Sequence, residues 1–452
     1  MIGQRRFHEK LGNVIIKKYE DNNLKAIVTD SNGKNFRVWV KSLQHERKIN
    51  KKHNNSLRFE SRKIIESLKL GGVPINYAEK FSTGRDDEIE TVKKFLDTNK
   101  EGSLVITGDY GVGKTHLLEL IRYHAINRNY AVSRIEIDSS EVSFHLPKNI
   151  HRAIIRNLQY PKRGKILGFR ELISDIFVSK NFTARDKLNL HPYFSQFILF
   201  WEQRVNNEPL LEWFEGREIG NNPVFIIDEL GKKRQLPKLH EEQNTANIYC
   251  SIISALGWIT KNVLDLSGLL ILIDEAESVD RHNFPPAQFG KAKNMLTGMV
   301  LVSNNHVDLR TECPQRLENR INPAGLFGKK TGLQYSKREF SPSPYIWGDF
   351  SNIKLIFSFI PHLYKDIINS THFSDVFRDI DCLEIDSIKM DDYDELYQKI
   401  CSIYTDAHGF KAPCSFYSYL PTDKTRIFVK SVVEGLDLIR FNQDVSLEEL
   451  LQ

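Results

Sequence analysis

The sequence predicts an α/β protein in which a core with a parallel sheet follows a small β-barrel and precedes a helical lid. A glycine-rich segment lies between an apolar and an amphipathic stretch at 104–119, and a long apolar run ends in acidic residues at 268–277. Short apolar stretches alternate with turn residues near the N-terminus. The boundaries that we expect are a barrel at 1–47, a linker at 48–58, a core with a helical insertion at 59–380, and a last strand with the lid at 381–452.

The composition is typical of a soluble globular protein. The chain has 452 residues, of which 40% are hydrophobic and 27% are charged, enough for two or three domains. Its apolar runs are far shorter than the ~18 residues of a membrane-spanning helix, and its start lacks a signal-peptide pattern. We therefore expect a cytoplasmic protein without membrane contact. The five cysteines form no CxxC pair, which argues against a disulfide framework and a zinc site.

Positive charge is concentrated at the N-terminus. Residues 1–63 contain 16 Lys and Arg against 6 Asp and Glu, a net charge of +10, whereas the whole chain is +5, so the remainder is −5. Clustered basic side chains favour nucleic acid because each phosphate that they neutralise releases a counterion. We expect DNA contact through this segment, and the alternative is a solvated basic surface without a partner.

The same segment is patterned as three short strands, at 14–19, 25–29 and 36–40. The pair Asn32 and Gly33 between the last two strands is a two-residue hairpin signal. The strands predict a small barrel. Their pattern resembles the SH3-like and Tudor-like barrels that are appended to DNA-handling ATPases.

The glycine-rich segment reads Gly108-x-x-x-x-Gly113-Lys114-Thr115 between an apolar strand and a helix, which is the spacing of a phosphate-binding P-loop. Its glycines, including Gly111, can adopt backbone angles that a Cβ would forbid, so that successive N–H groups surround a phosphate. Lys114 would reach the β- and γ-phosphates of ATP, and Thr115 would offer its hydroxyl to Mg²⁺. Two neighbours in the sequence, Val112 and His116, are also expected to bind the nucleotide.

A predicted helix leads into the P-loop strand. Gly84, Arg85 and Glu88 stand at its start, where acidic side chains complement the helix dipole. The segment resembles the Gly-Arg-x-x-Glu motif ahead of the P-loop in AAA+ and related ATPases. That resemblance implies that the segment packs beside the adenine.

An ATPase needs one carboxylate for the Mg²⁺ shell and a second to orient or deprotonate the attacking water. The candidate pairs are Asp228 with Glu229 and Asp274 with Glu275, each after an apolar stretch. We favour the second pair because its longer apolar run suits a central parallel strand that is buried on both faces. Asp274 is then expected to hold Mg²⁺ together with Thr115.

The next apolar run, at 354–360, contains Ser358, whose hydroxyl is expected beside the γ-phosphate. A long insert punctuated by Pro and Gly, at 280–352, separates the two runs. The tetrad from Asp274 to Glu277, Asp-Glu-Ala-Glu, also resembles the second motif of superfamily 2 helicases. No second half with a Gln-x-x-Gly-Arg-x-x-Arg motif follows, so an autonomous helicase is not expected.

Several segments resemble the ATP-binding proteins of bacteriophage-exclusion (BREX) systems, of the BrxD type with its BrxC relatives, over roughly 57–445. Such proteins are AAA+-like ATPases of bacterial defence loci, often beside a large helicase. The resemblance therefore implies an ATPase in a DNA-associated anti-phage complex with a helicase-type partner. The segments that carry it are the P-loop with its helix, 59–74, 132–158, 210–216, 268–277 and 425–437.

The resemblance also implies two functional arginines. Arg378 precedes the expected last core strand, where AAA+ proteins place an arginine finger that reaches the nucleotide of a neighbouring subunit. This position implies a homo-oligomer. Arg426 heads a helix of the lid, where a second sensor arginine would contact the nucleotide.

The expected reaction is ATP + H₂O to ADP + phosphate with Mg²⁺, and the expected catalytic residues are Lys114, Glu275 and Arg378. The sequence leaves open a regulatory switch, in which bound ATP controls assembly with little turnover, and a DNA-binding adaptor. A P-loop kinase is a third alternative, but no acceptor site is evident and Glu275 beside Asp274 favours water activation.

Overall fold

A computed structural model of the chain describes residues 5–8, 12–20, 24–30, 33–40, 43–45, 49–72, 77–98, 102–138, 140–179, 181, 186–202, 208–217, 225–227, 233–235, 245–279, 285–319, 322–336, 343–348, 350–369, 374–411 and 413–450. The chain divides into two compact units. The first comprises Met1–Gly72, Gln398–Tyr419 and Val432–Gln452, and the second comprises Val73–Tyr397 and Leu420–Ser431.

The strands, in chain order, are β1 (Arg5–His8), β2 (Gly12–Glu20), β3 (Lys25–Thr29), β4 (Asn35–Trp39), β5 (Leu43–His45), β6 (Gly102–Thr107), β7 (Ala131–Glu136), β8 (Leu158–Lys162), β9 (Lys165–Gly168), β10 (Phe225–Ile227), β11 (Lys233–Gln235), β12 (Leu269–Asp274), β13 (Pro314–Asn319), β14 (Asn322–Gly328), β15 (Gln334–Tyr335), β16 (Ile353–Phe359) and β17 (Asp381–Glu384).

The α-helices are α1 (Ile49–Lys69), α2 (Asp86–Asp97), α3 (Lys114–Asn127), α4 (Pro147–Arg156), α5 (Phe169–Val178), α6 (Pro192–Glu202), α7 (Glu208–Phe214), α8 (Ala246–Asn262), α9 (Pro286–Ser303), α10 (Val307–Thr311), α11 (Pro361–Asn369), α12 (Ser374–Phe377), α13 (Met390–His408), α14 (Thr425–Phe441) and α15 (Leu447–Leu450). Short 3₁₀ turns lie at Ala78–Phe81, Leu188–Leu190, Ala276–Val279 and Cys414–Tyr419.

The second unit is built on a seven-stranded sheet with the strand order β17-β6-β16-β12-β7-β8-β9. The strands from β17 to β7 are parallel, and β8 and β9 extend the sheet with antiparallel pairing. The prediction of an α/β fold with a parallel sheet is confirmed in this form.

Side chains of the central strand β12 alternate between two apolar cores. Leu270 and Leu272 pack with α3 residues on one face, and Ile271 and Ile273 pack with α8 and α9 residues on the other. Burial on both faces explains why the strand is apolar along its whole length. β12 is thus the central parallel strand that its apolar run predicts.

The parallel strands end at a common edge of the sheet. Thr107 of β6 lies opposite Phe359 of β16 on one side and Glu384 of β17 on the other. Asp274 at the end of β12 lies opposite Glu136 of β7. Since the P-loop follows β6, its residues and the acidic residues after β12 reach the same edge.

The first unit contains an antiparallel sheet with the order β4-β3-β2-β1-β5. The connection from β3 to β4 is longer than a two-residue turn, because Thr29 pairs with Asn35 and residues 30–34 lie between them. Gly33 takes a φ of +80° there, and Asn32 lies outside the described residues. The described pairings do not join β4 to β5, so barrel closure stays a prediction.

Helix α1 packs against C-terminal residues of the same unit. It begins at Ile49, so most of the segment expected as a linker, 48–58, is helical. The Nε atoms of Arg58 and Arg62 both donate to the carbonyl of Ala407, at 3.1 and 3.0 Å. Lys69 donates to Asp437 at 2.6 Å.

Within the insert at 280–352 lie α9, α10 and a three-stranded antiparallel sheet of β13, β14 and β15. Strands β10 and β11 form a separate two-stranded sheet. Among the described residues, no helix combines the length and apolar character needed to span a membrane.

Candidate functional site

The loop between β6 and α3 has a backbone that requires glycine. Gly111 and Gly113 have φ angles of +88° and +106°, in the left-handed region that other residues rarely adopt. A Cβ on Gly108 would lie 2.6 Å from Cγ1 of Ile385, which follows β17. The sequence motif therefore forms the cradle that its glycines predict, and Gly113 is the N-cap of α3. The first N–H groups of α3 lack acceptors within the helix and suit an anion.

Lys114 lies over this loop. Its ammonium donates to the carbonyl oxygens of Gly108 at 2.6 Å and Asp109 at 3.2 Å. Burial lowers the pKa of Lys114, while the negative charges of Glu277 and Asp274 oppose that effect. The nitrogen therefore lies beside the cradle, where a phosphate would complement a cationic side chain.

Asp274 is the most densely hydrogen-bonded carboxylate of the site. The carboxylate is buried. Its Oδ2 accepts from Thr115 Oγ1 at 2.9 Å and from Arg134 at 2.8 Å, and its Oδ1 accepts from Ser358 Oγ at 2.5 Å. The structure thus brings together three residues that the sequence predicts to be neighbours: Thr115, Asp274 and Ser358.

Arg134 is a member of the site that the sequence analysis missed. It lies on β7 and pairs with Glu119 of α3 at 3.4 Å as well as with Asp274. Glu119 is itself buried and pairs with Arg122 at 2.7 Å. A single basic residue within the apolar run of β7 was the available signal. Its cation balances the buried charge of Asp274, which would otherwise be costly.

Glu275 has an unusual backbone. Its φ is +54°, a conformation that costs free energy in a non-glycine residue and clusters at functional sites. Its N–H donates to Ser358 Oγ at 3.3 Å. Partial burial raises the pKa of Glu275, the charges of Glu136 and Asp274 raise it further, and Lys114 opposes them. A carboxylate with a raised pKa is suited to accept a proton.

A third carboxylate, Glu277, lies in the 3₁₀ turn that follows β12. Burial raises the pKa of Glu277, and the charge of Lys114 opposes that effect. Its Oε2 is buried and has no hydrogen-bond partner among the described residues. In the sequence, Glu277 belongs to the Asp-Glu-Ala-Glu tetrad that resembles a helicase motif, and that pattern predicts no role for it in this site.

The two predicted arginines lie in different places. Arg426 is at the loop: its N–H donates to the carbonyl of Gly111 at 3.3 Å, and its charge acts to lower the pKa of Glu275. Arg378 is exposed and lies three residues before β17. That is the amino end of the strand, opposite to the edge where the P-loop lies. The structure therefore does not bring Arg378 to the loop of its own chain.

His116 lies in the first turn of α3 and packs against Phe81. Its ring centroid is 4.9 Å from that of Phe81. Burial lowers the pKa of His116 to about 4, and the charge of Arg85 acts in the same direction, so the ring is neutral at pH 7. Val112, within the loop, is buried.

The rival acidic pair directly follows β10 in the sequence. Asp228 and Glu229 lie outside the described residues. Among the described strands, β10 before them pairs with β11 and not with the seven-stranded sheet.

The residues present fit a Mg²⁺–nucleotide complex. The described residues contain no group of three or more His, Cys, Asp or Glu side chains that could hold a metal by themselves. Mg²⁺ bound to a nucleotide needs fewer protein ligands, because phosphates and waters supply most of its oxygen ligands. The Thr115 hydroxyl and the Asp274 carboxylate, 2.9 Å apart, would supply the protein's share.

Residues 58–186 match the model of the family described as BREX system ATP-binding protein BrxC/D. The matched segment includes the P-loop but ends before the acidic strand β12. The description joins BrxC and BrxD, so the narrower BrxD assignment stays a prediction. No curated protein matches the chain.

Among solved structures, two crystal structures of NtrX from Brucella abortus, one of them in complex with ADP, are similar to the chain at 11% identity and a TM-score of 0.34. The alignments cover 82% of this chain and 53% of NtrX, so the chain spans about half the length of those proteins. A likeness of this size supports no inference about function. Residues 58–186 of this chain are thus similar to the family of BREX ATP-binding proteins.

Proposed function

We propose that this protein binds ATP with Mg²⁺ and hydrolyses it to ADP and phosphate. The observation that carries the proposal is the meeting of Lys114, Thr115, Asp274 and Glu275 at one edge of the sheet, with the Thr115 hydroxyl 2.9 Å from Asp274. The match of residues 58–186 to an ATP-binding family supports the choice of ATP as the nucleotide.

Each residue has a distinct role in this proposal. Lys114 would neutralise the β- and γ-phosphates, and bound Mg²⁺ would offset the charge that develops on them. Asp274 and Thr115 would hold the metal shell, and Ser358 would fix the orientation of Asp274. Glu275 would orient the attacking water and accept its proton, for which its raised pKa suits it.

Two variants test the chemistry. Lys114→Ala removes the cation of the cradle and should abolish ATP binding, whereas Glu275→Gln should retain binding and lose turnover. Calorimetry and phosphate release measure the two effects, and Glu229→Gln is the matched control. Normal turnover in Glu275→Gln together with its loss in Glu229→Gln would reverse our choice of acidic pair. Binding without phosphate release in the parent protein would support the regulatory switch instead.

We further propose that the ATPase acts in a DNA-associated anti-phage complex with a helicase-type partner and contacts DNA through the sheet of the first unit. One face of this sheet is apolar and buried, through Val14, Ala26 and Val38. The other face carries Trp39, which is 49% exposed, with the Lys25 ammonium 4.9 Å from its ring. An exposed aromatic ring beside a cation suits a base and its phosphate.

Fluorescence anisotropy at several salt concentrations tests this contact. Trp39→Ala and Lys25→Ala should weaken binding to a single-stranded oligonucleotide, and Lys25→Ala should also reduce the slope of log affinity against log salt by about 0.7, the value for one lost phosphate contact. Lys94→Ala is the control, because Lys94 is an exposed lysine of α2 in the other unit. Equal affinities for all four proteins would contradict the proposal.

A further inference from the structure

Arg85 is a buried cation whose partners lie in three separate segments. It is 5% exposed. Its Nη2 donates to the carbonyl of Val112 in the P-loop at 2.6 Å and to the carbonyl of Asp386 at 2.7 Å, and its Nη1 donates to Glu88 at 2.7 Å. We propose that Arg85 is a positioning residue that holds the P-loop in its phosphate-binding conformation. This inference rests on the proposed function, because it assumes that the loop binds a phosphate.

The geometry of one peptide unit explains how Arg85 would act. The carbonyl of Val112 and the N–H of Gly113 belong to the same peptide bond, which is trans. In a trans peptide these two groups point in opposite directions. A hydrogen bond that holds the Val112 carbonyl toward Arg85 therefore aims the Gly113 N–H the other way, toward the cradle. That N–H is a donor that the P-loop offers to a phosphate.

A guanidinium suits this position better than an ammonium would. The two hydrogens of Nη2 lie in a fixed plane and diverge, so one nitrogen can serve two carbonyls in a defined geometry. Glu88 lies one turn along α2, accepts from the other nitrogen and balances the charge. The loop conformation is thus set by a rigid group that is itself held in place.

The second carbonyl connects the loop to the segment after β17. Asp386 follows Ile385, whose N–H donates to the Thr107 carbonyl at 2.7 Å and whose side chain packs on Gly108. Both ends of the P-loop therefore contact the short segment of Ile385 and Asp386. Gly108 contacts Ile385 directly, and Val112 is connected to Asp386 through Arg85. A shift of this segment would move the Gly113 N–H.

A direct contact with the base is the rival role for Arg85, since the Gly-Arg-x-x-Glu resemblance places this segment beside the adenine. The two roles predict different effects of an Arg85 substitution on the affinity of a ligand that has no base. A positioning role affects pyrophosphate and ADP alike, because both use the Gly113 N–H. A base contact affects ADP alone.

The experiment measures the affinities of ADP and of Mg²⁺–pyrophosphate for the full chain and for Arg85→Gln, with pyrophosphate followed by competition against a fluorescent ADP. We expect both affinities to fall by a similar factor, about tenfold to a hundredfold, the range for one charged hydrogen bond. Arg128→Gln is the control, because Arg128 also pairs with a carboxylate of α2, Asp97 at 2.7 Å, but follows the end of α3 that lies away from the loop. It should leave both affinities unchanged.

The outcomes separate the hypotheses. A loss confined to ADP would overturn the proposal in favour of a base contact, and unchanged affinities for both ligands would overturn it outright. Glu88→Gln, which keeps the shape of the carboxylate and removes its charge, should lower both affinities by a smaller factor, and it remains informative if Arg85→Gln does not fold. A parent protein that binds neither ligand would refute the proposed function itself, which is a different result.

Discussion

The guanidinium of Arg426 lies over the ring of Tyr110, 5.5 Å from its centroid, and donates to the tyrosine hydroxyl at 2.7 Å. Arg426 is the second residue of α14, and Tyr110 belongs to the P-loop. The first turn of this helix is thus fixed to the loop by a side chain as well as by the bond from its backbone to Gly111.

Replacing Arg426 should affect turnover far more than replacing Tyr110. Its cation lies near Glu275 and the cradle, where it can stabilise charge on the phosphates, so Arg426→Ala should lower kcat by about 10²–10³, the range for one charge-stabilising donor. Tyr110→Phe removes only the hydroxyl and should leave kcat within about twofold. Steady-state phosphate release measures both. Equal losses in the two variants would show that the arginine acts only through the tyrosine.

The acidic limb of the pH–rate profile should respond to Glu136. Glu275 must be ionised to accept a proton, so turnover should fall as the pH drops through its raised pKa. The charge of Glu136 contributes to that raised pKa, and Glu136→Gln should therefore lower the pKa and move the acidic limb to lower pH. Glu141→Gln, an exposed neighbour in sequence, is the control. A limb that does not move would exclude Glu275 as the titrating group.

Arg378 should act on a neighbouring subunit if it acts on nucleotide at all. Its place at the amino end of β17 keeps it from the loop of its own chain. Arg378→Ala and Lys114→Ala should each be inactive, and a mixture should recover activity because some interfaces combine an intact finger with an intact loop. Phosphate release by mixtures at varied ratio, with mixed assembly checked by differential tagging, measures the effect. Mixed oligomers without recovered activity would count against the finger.

His191 should make the protein sensitive to acid. Burial lowers the pKa of His191 to about 3, and its Nδ1 accepts the N–H groups of Tyr193 and Phe194 at 3.1 and 3.2 Å. Because the folded pKa lies below the unfolded value, the stabilisation is complete above pH 6.5 and is lost as the pH falls toward 3. Between pH 6.5 and 5 the loss should be about 2 kcal/mol.

His191→Asn tests this dependence, since asparagine keeps an acceptor for the helix start and does not titrate. The fall in Tm between pH 7 and pH 5 should be smaller in His191→Asn than in the parent protein. His362→Asn, at an exposed position, should not change that fall. An identical fall in His191→Asn would mean that His191 is not protonated on unfolding in this range.

Local patterns predicted the centre of the site. The glycine spacing around Lys114 needs no long-range information, and the apolar run before Asp274 marks a strand buried on both faces. The same reasoning missed Arg134 and gave Arg85 only the place that its motif implies, because several of their partners come from segments far away in the chain. Nothing near Arg85 indicates that the carbonyl of Asp386 will reach it.

Weak strands escaped prediction for a related reason. β1 and β5 have the sequences RRFH and LQH, too short and polar for a periodic signal, and they pair as neighbours in the sheet. The hairpin signal of Gly33 identified the turn but not its length, because the pairing of Thr29 with Asn35 sets that length.

The strand order has a consequence for the timing of synthesis. β16 lies between β6 and β12 and so sets the spacing at which Thr115 meets Asp274, yet it is translated roughly 250 residues after β6, or about 12–50 s later at 5–20 residues per second. Until Ile353–Phe359 leaves the ribosome, a growing chain has the P-loop sequence and Asp274 but lacks the strand that lies between β6 and β12. A nucleotide site of the proposed kind is therefore complete only when the chain is nearly finished, and stabilisation of the core by nucleotide would begin only then.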